Sequence, residues 1–298
     1  MNPSIFEALA KGSETLRVAF GDDAKLHNPK LDAQVLLAYC LQEPTAYLFA
    51  HGDEILTTAV AAQYGGMIEL RAKREPVAYI LGRKDFFNRT FKVTPATLIP
   101  RPETELLVEL AKADIGKDTL VVDVGTGSGA IAITLAAEAK AEVIAIDISR
   151  EALSVAHENA VTHGVAEQIA FLEGNLLKPF ISLMADWAPE AKPKHLLITA
   201  NLPYLTERQW QDADDDVRKY EPKTALVGGW DGLALYDELF MQLAARRREL
   251  PERITIFCEI DPSQASAFQS LVMRYLPYAK QELFRDLAGQ ARIFRIAI

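Results

Sequence analysis

Four residues that follow an apolar run, Asn201-Leu202-Pro203-Tyr204, combine groups suited to binding a planar amide or amine. The run before them, HLLITA, is typical of a strand buried on both faces. The side-chain oxygen of Asn201 and the carbonyl of Leu202 would place two acceptors on one short turn, and Tyr204 would add a flat face. A group that carries an NH₂ fits this set, and both a side-chain amide and the exocyclic amine of adenine qualify.

A second candidate site is the glycine-rich stretch VVDVGTGSGAIAI, which predicts a strand, a tight turn and a helix. Its turn consists of Gly125, Thr126, Gly127, Ser128 and Gly129. The glycines permit a close approach by a ligand, and the helix N-terminus offers free N–H groups. Asp147 ends the next predicted strand, where a carboxylate can accept hydrogen bonds from a ribose diol. We therefore expect an adenosine-type cofactor.

The glycine loop alone does not choose the cofactor. Its spacing to Ala130 also satisfies the relaxed dinucleotide pattern, so a nicotinamide or flavin dinucleotide and S-adenosylmethionine both stay open, as does a tight turn without a ligand. Asp123 either binds the cofactor's amino group or caps the N–H groups of the loop. In a doubly wound sheet the carboxyl ends of the strands meet at one crevice, which would place Asn201 beside this loop. Because a hydride acceptor has no need of the Asn201–Tyr204 turn, the turn favours S-adenosylmethionine and methyl transfer to nitrogen. The alternative is that Asn201 caps the next turn and Tyr204 packs in the core.

The elements that would position these residues alternate between strand and helix from about residue 101 onward. This alternation predicts an α/β fold with a mainly parallel sheet, and a hairpin with a turn at Ala288-Gly289 would add one antiparallel strand. Ser149 is a candidate N-cap of the second helix. The first 80 residues have helical periodicity, with an expected break at Gly65-Gly66 and a stop at Gly82. A hairpin with Asn88-Arg89 in its turn would follow.

The composition of the chain argues against several classes of protein. Of the 298 residues, 49% are apolar, which supports a sizeable core, and the net charge of −9 argues against binding nucleic acid by bulk phosphate attraction. Cys40 and Cys258 are far apart, so we expect neither a disulfide framework nor a metal site. We expect no signal peptide and no membrane span, which predicts a cytoplasmic protein.

Several stretches together resemble the HemK-type release factor glutamine N5-methyltransferases along nearly the whole chain. They are REPVAYILG, LIPRPETELLVE, DVGTGSGAIAI, AIDISREAL, VRKYEPKTALVGGWDGLALY and DLAGQARIF. The resemblance implies a helical substrate-recognition domain (1–82), a β-hairpin connector (83–100) and a seven-stranded Rossmann-like methyltransferase domain (101–298). It also implies S-adenosylmethionine as cofactor and the glutamine of the Gly-Gly-Gln loop of a peptide chain release factor as substrate.

Carried over to this sequence, the resemblance places the glycine loop, Asp147, Asn175, Leu176 and Asn201 at the cofactor. Asn201 and Leu202 would accept the two N–H bonds of the glutamine amide, and Pro203 and Tyr204 would complete the slot. Two positions depart from the family: Leu202 stands where it has proline, and Asn175 where an acidic residue is frequent. We expect Leu202→Pro to fit and to stabilise the protein if φ at this residue is near about −65°, and to destabilise it if the Leu202 N–H bonds to another group.

Two charged stretches have local interpretations. In PRPETE, Pro102 suits the first position of a helix, with Glu103 and Glu105 in the first turn. Arg101 is a surface residue, a domain-bridging residue or a site residue. The run DADDDVRKY is typical of a solvated loop or helix face.

Four other functions compete with glutamine methylation. They are adenine N6-methylation of nucleic acid, glutamine methylation of a ribosomal protein, dinucleotide-dependent oxidoreduction, and binding without turnover. The net charge argues against methylation of nucleic acid, and the PRPETE motif argues against a ribosomal protein as substrate. The Asn201–Tyr204 turn argues against an oxidoreductase. Only Leu202, in place of the family's proline, supports binding without turnover.

Overall fold

The computed structural model describes residues 2–21, 23, 27–188 and 191–298, and the chain divides into two compact units. One unit comprises Met1–Arg83 together with Asp214–Tyr220, and the other comprises Lys84–Ala213 together with Glu221–Ile298. The chain therefore leaves the larger unit shortly after the Asn201–Tyr204 turn and returns to it at Glu221.

The smaller unit is helical. Its helices are α1 (Ile5–Phe20), α2 (Pro29–Leu41), α3 (Thr45–Ala50), α4 (Thr58–Ala72), α5 (Val77–Leu81) and, from the later segment, α11 (Asp215–Tyr220). Gly82 ends α5 in the left-handed conformation, as predicted. The break expected at Gly65-Gly66 is wrong, because α4 continues through both glycines. Packing of Tyr64 and Ile68 into the unit's core outweighs the low helix propensity of glycine.

A buried charge cluster joins α11 to the other helices of this unit. Arg71 is 3% exposed and binds both Asp32 and Asp216, with N–O distances of 2.7 Å to each. Arg74 lies 3.0 Å from the second carboxylate oxygen of Asp216. The solvated helix face predicted for this stretch is therefore wrong for Asp216, although Asp215 forms ion pairs with Lys219 and Arg218 within its own helix.

The larger unit contains a seven-stranded sheet in the order β5-β4-β3-β6-β7-β9-β8. The strands are β3 (Thr119–Val124), β4 (Glu142–Asp147), β5 (Ile169–Glu173), β6 (His195–Ala200), β7 (Arg253–Glu259), β8 (Lys280–Arg285) and β9 (Ala291–Ala297). Strands β3 to β7 are parallel, and β9 runs antiparallel to both of its neighbours. The predicted sheet, with its single antiparallel strand, is confirmed.

Helices cover both faces of the sheet. They are α6 (Thr104–Asp114), α7 (Ala130–Ala139), α8 (Arg150–Thr162), α9 (Lys178–Ala185), α12 (Ala234–Ala245) and α13 (Ala265–Tyr275). The short helix α10 (Glu207–Gln211) contains no buried residue. Val121 and Val122, adjacent on β3, belong to two different core clusters, one on each face. Ser149 caps α8 as predicted. None of the helices within the described residues is long and apolar enough to cross a membrane.

A two-stranded hairpin, β1 (Arg83–Phe86) and β2 (Arg89–Lys92), precedes α6. Its turn is formed by Phe87 and Asn88, both with positive φ, one residue earlier than predicted. The side chain of Asn159 on α8 bonds both backbone groups of Lys92 and also the Ser128 carbonyl. This one buried amide thus links the hairpin to the glycine loop.

Candidate active site

The glycine loop forms the turn between β3 and α7 and is held by Asp147 at the end of β4. One carboxylate oxygen of Asp147 accepts the Gly127 N–H and the other accepts the Ser149 N–H, both at 2.9 Å. A carboxylate has lone pairs for about four hydrogen bonds, and the Ile148 N–H also binds this one, so some acceptor capacity remains for a ligand. Burial raises the pKa of Asp147, and the backbone N–H bonds oppose that rise. Asp147 therefore both shapes the loop and offers acceptors beside it.

Asp123 supports the loop from within the sheet. It is 1% exposed, and its two oxygens accept the hydroxyls of Thr126 and Thr199 at 2.6 and 2.7 Å. Burial raises its pKa to about 6. Of the two roles considered for Asp123, the bond from the Thr126 hydroxyl favours holding the loop, and the backbone N–H of Ala132 on α7 also binds this carboxylate.

Tight packing at the end of the loop explains why residue 129 is a glycine. Gly129 has a φ of 82°, and a Cβ there would lie 2.7 Å from the Cδ1 of Ile133 and 3.1 Å from the Cβ of Ala156. A larger residue at this position would have a strained backbone and would require the Ile133 side chain and α8 to shift.

A cavity of about 330 Å³ lies at the carboxyl ends of β3, β4 and β6, and its size suits a small-molecule ligand. The predicted site residues on its wall are Gly125, Gly127, Asp147, Asn175, Leu176, Asn201, Leu202 and Pro203. Among the described residues, Thr126, Ser128, Gly129 and Tyr204 do not line this cavity. The hairpin connector adds Ala96, Thr97 and Leu98. The two candidate sites predicted from the sequence, the glycine loop with Asp147 and the turn at Asn201, therefore lie on the wall of the same cavity.

Asn175 faces this cavity with its oxygen available. Its Nδ2 donates to the carboxylate of Glu238 at 2.7 Å, which fixes the orientation of the amide. The same carboxylate also accepts a hydrogen bond from Gln242. The amide oxygen that this arrangement leaves is the acceptor predicted for the adenine amine.

Asn201 is oriented by a chain of two hydrogen bonds. Its Nδ2 donates to the Thr104 hydroxyl at 3.1 Å, and that hydroxyl donates to the carboxylate of Glu259 at 2.7 Å. Thr104 and Glu259 are 4% and 1% exposed. Within the described residues, no donor binds the side-chain oxygen of Asn201. The amide therefore presents a free acceptor at the cavity wall.

Leu202 is bound by its N–H group and by its side chain. Its N–H donates to the hydroxyl of Tyr236 at 3.3 Å, and its side chain is 3% exposed. The Tyr236 hydroxyl also lies 2.5 Å from the carbonyl oxygen of Glu259 and 3.1 Å from that of Ala200, so it joins the ends of β6 and β7. The Leu202 N–H is thus bonded to another group, so the second of the two expected outcomes applies and Leu202→Pro should destabilise the protein.

The rest of the turn is held by a glycine-rich loop and by Gln264. The Nε2 of Gln264 donates to the Tyr204 carbonyl at 2.8 Å. Gly232 has a φ of 76°, and a Cβ there would overlap that same carbonyl group. Burial raises the pKa of Tyr204 well above its usual value. No donor within the described residues binds the Leu202 carbonyl, so this oxygen is the second free acceptor on the turn.

The PRPETE stretch starts α6 later than predicted. The helix begins at Thr104 with Glu103 as its N-cap, so Pro102 precedes the helix and the first-position assignment is wrong. Arg101 instead forms an ion pair with Glu221, which is 6% exposed and also accepts the Ile99 N–H at 3.1 Å. This tertiary contact holds residues 99–101 outside the helix, next to cavity residues Leu98 and Pro222.

Comparisons with known proteins agree with this geometry. Residues 7–82 match the PrmC N-terminal domain and residues 115–186 match a methyltransferase domain. A release factor glutamine methyltransferase of Nitratidesulfovibrio vulgaris is 36% identical, covering 90% of this chain and 88% of that protein. A protein of the same name from Bacillus subtilis is 34% identical, covering 97% of this chain and 96% of its own length. The chain belongs to the release factor glutamine methyltransferase family.

The solved structures establish the methyltransferase fold independently. The catalytic domain of hMettl16, in complex with MAT2A 3'UTR hairpin 1, aligns with a TM-score of 0.54 at 14% identity. The alignment covers 88% of this chain and 90% of that one. At this identity the likeness concerns the fold alone. The resemblance inferred from the sequence motifs is confirmed, and the protein is a methyltransferase.

Sequence reasoning missed several supporting residues of this methyltransferase, among them Thr104, Tyr236 and Glu259. Thr104 lies inside PRPETE, where the sequence analysis interpreted the helix start and the charged residues but not the threonine. Glu259 ends the buried run RITIFCE, and a carboxylate at the end of an otherwise apolar strand was the available signal. Tyr236 offered no signal, because it follows the apolar spacing of an ordinary core residue.

Proposed function

We propose that this protein transfers a methyl group from S-adenosylmethionine to the N5 amide nitrogen of the Gly-Gly-Gln glutamine in a peptide chain release factor. The observation that carries the proposal is the pair of free acceptors on one turn, the Asn201 side-chain oxygen and the Leu202 carbonyl, beside the cavity formed with the glycine loop. A primary amide has two N–H bonds, which matches two acceptors. The names of the relatives support the release factor as substrate.

The residues present fit the proposed cofactor. Asp147 keeps acceptor capacity for the ribose hydroxyls beyond its bonds to the backbone N–H groups of Gly127, Ile148 and Ser149. The orientation imposed by Glu238 leaves the Asn175 oxygen for the adenine amine. Bound there, S-adenosylmethionine would supply an electrophilic methyl group on a positively charged sulfur.

The contribution of the chain is alignment and electrostatics. An amide nitrogen is a weak nucleophile because its lone pair is delocalised into the carbonyl. Accepting both N–H bonds would hold the nitrogen in one position, and the two oxygens would stabilise positive charge as it develops on the nitrogen. One of the two protons leaves after the transfer, so no strong base is required at the turn.

Recognition of the release factor by the smaller unit, residues 1–82 in the sequence prediction, belongs to the same proposal. Remote contacts with a folded substrate would contribute binding that a short peptide lacks. A folded release factor should therefore be methylated far better than a peptide containing Gly-Gly-Gln, and equal rates would count against a recognition role.

The direct test uses labelled S-adenosylmethionine with three substrates in parallel: a release factor, duplex DNA and ribosomal protein. We expect label on the release factor, at the glutamine of Gly-Gly-Gln, and none on a release factor with asparagine there. Asn201→Ala should lower turnover by about two orders of magnitude, as for loss of a transition-state hydrogen-bonding group. Label on DNA or ribosomal protein alone would refute the proposed substrate, and near-normal turnover of Asn201→Ala would refute the slot.

A further inference from the structure

We infer that Thr104 and Glu259 are positioning residues that determine which end of the Asn201 amide faces the substrate. The inference rests on the proposed function, because a substrate N–H requires an oxygen, and not an NH₂, at the cavity wall. A side-chain amide has two orientations of nearly equal shape and opposite hydrogen-bonding character. Something must therefore select one orientation of Asn201.

The orientation of the Asn201 amide follows from the number of protons available in the hydrogen-bond chain Asn201–Thr104–Glu259. An ionised carboxylate only accepts, so Glu259 takes the single hydroxyl proton of Thr104 across 2.7 Å. The Thr104 oxygen can then only accept from its other neighbour. The Asn201 atom 3.1 Å away must be the NH₂ group, which turns the amide oxygen away from Thr104.

Protonation of Glu259 would remove this selection. A neutral carboxyl can donate to the Thr104 oxygen, which frees the threonine proton to point at Asn201. The favoured orientation of Asn201 would then be the reverse, with its NH₂ facing the N–H bonds of the substrate. Two donors cannot bond, so this state should not align the glutamine amide.

The setting of Glu259 makes such a change accessible near neutral pH. Glu259 lies at the end of β7, next to Asn201 at the end of β6, since Ala200 and Cys258 are register partners. Burial raises its pKa to about 7, and the bond from Thr104 and the charge of Arg292 oppose that rise. The other charged and titratable groups that face it are Arg101, Glu103, Tyr204 and Tyr236.

The first test compares two substitutions at Thr104, measured with release factor as substrate. Thr104→Val keeps the shape and removes the hydroxyl, so kcat should fall about tenfold or more, the equivalent of one hydrogen bond to the network. The affinity for S-adenosylmethionine, measured by calorimetry, should not change. Thr104→Ser restores the hydroxyl and should recover kcat to within about threefold of the wild type.

The pH profile separates positioning from a merely structural role. The wild-type kcat should fall on the acid side as Glu259 is protonated, with an apparent pKa near 7. The kcat of Thr104→Val should not show this fall at acid pH, because no hydroxyl then connects Glu259 to Asn201 by hydrogen bonds. A Thr104→Val enzyme with wild-type kcat, or with the same fall at acid pH, would overturn the inference.

A second measurement does not depend on methyl transfer. The side-chain NH₂ resonances of Asn201, assigned by their loss in Asn201→Ala, should titrate with the pKa of Glu259 in the wild type. They should not titrate in Thr104→Val. Resonances that ignore pH in the wild type would overturn the inference. If they titrate as expected while no release factor is methylated, the proposed function fails and the positioning of Asn201 stands.

Discussion

Replacing Glu259 by glutamine should stabilise the folded protein at alkaline pH while impairing catalysis. Glu259 is 1% exposed, and burial raises its pKa from 4.5 to about 7. Below pH 4.5 the carboxyl group is protonated in both the folded and the unfolded chain, so its burial carries no charge penalty. As the pH rises towards 7, the unfolded chain ionises first, and the folded protein loses stability. Because glutamine does not ionise, the Glu259→Gln variant should not lose this stability as the pH rises.

The size of the effect follows from the pKa difference. A pKa shift of one unit corresponds to 1.36 kcal/mol, so the shift of Glu259 destabilises the folded wild type by about 3 kcal/mol above pH 7. Most of this change falls between pH 5 and pH 8. Asp123 also titrates near pH 6, but it is present in both proteins and cancels when the two are compared.

The assay is urea unfolding of wild type and Glu259→Gln at several values between pH 5 and pH 8. The free energy of unfolding of the wild type relative to the variant should fall by about 2 kcal/mol or more over this range. Glu142→Gln, an exposed carboxyl at the start of β4, is the matched control and should show little of this change. A wild-type-to-variant difference that stays constant with pH would refute the raised pKa of Glu259.

Three further substitutions test other parts of the structure. Asp147→Ala should remove two hydrogen bonds to the ribose and weaken S-adenosylmethionine binding by at most about 1.5–3 kcal/mol per bond; unchanged affinity in calorimetry would contradict its place at the cofactor. Leu202→Pro removes the N–H bound to Tyr236 and should lower the free energy of unfolding by about 1–2 kcal/mol, whereas a gain in urea unfolding would show that this bond is dispensable. Asp216→Asn weakens the partner of two buried arginines and should cost about 2 kcal/mol, against less than about 1 for Asp215→Asn; equal losses would refute the buried cluster.

The elements that the sequence predicted well are those determined by local patterning. The buried strands β3, β4, β6 and β7 stand out as short β-branched runs, and Gly82 and Ser149 mark helix ends through their own backbone or side-chain chemistry. The start of α6 was misplaced because Arg101 is held by Glu221, which is 120 residues away. Local preference at Pro102 could not show that contact.

In the candidate site, too, the features set by local sequence were predicted and those set by distant contacts were not. The glycine loop and Asp147 are recognisable because their spacing lies within one β-α-β unit. The support of Asn201 is not, because Thr104 and Glu259 are 155 residues apart and meet only once β7 pairs with β6. A single sequence does not give the order of strands in a sheet, so the polar partners across that order stayed hidden.

The placement of α11 in the smaller unit has a consequence for folding during synthesis. Arg71 and Arg74 leave the ribosome early, while Asp216, which binds both, is made only after residues 84–213 of the larger unit. Until then the two arginines lack this partner, and their burial is correspondingly less favourable. The first unit to be synthesised therefore reaches its final stability late, when the segment that follows the Asn201–Tyr204 turn arrives. Pairing of these arginines with Asp216 thus becomes possible only after the active-site strand itself has been made.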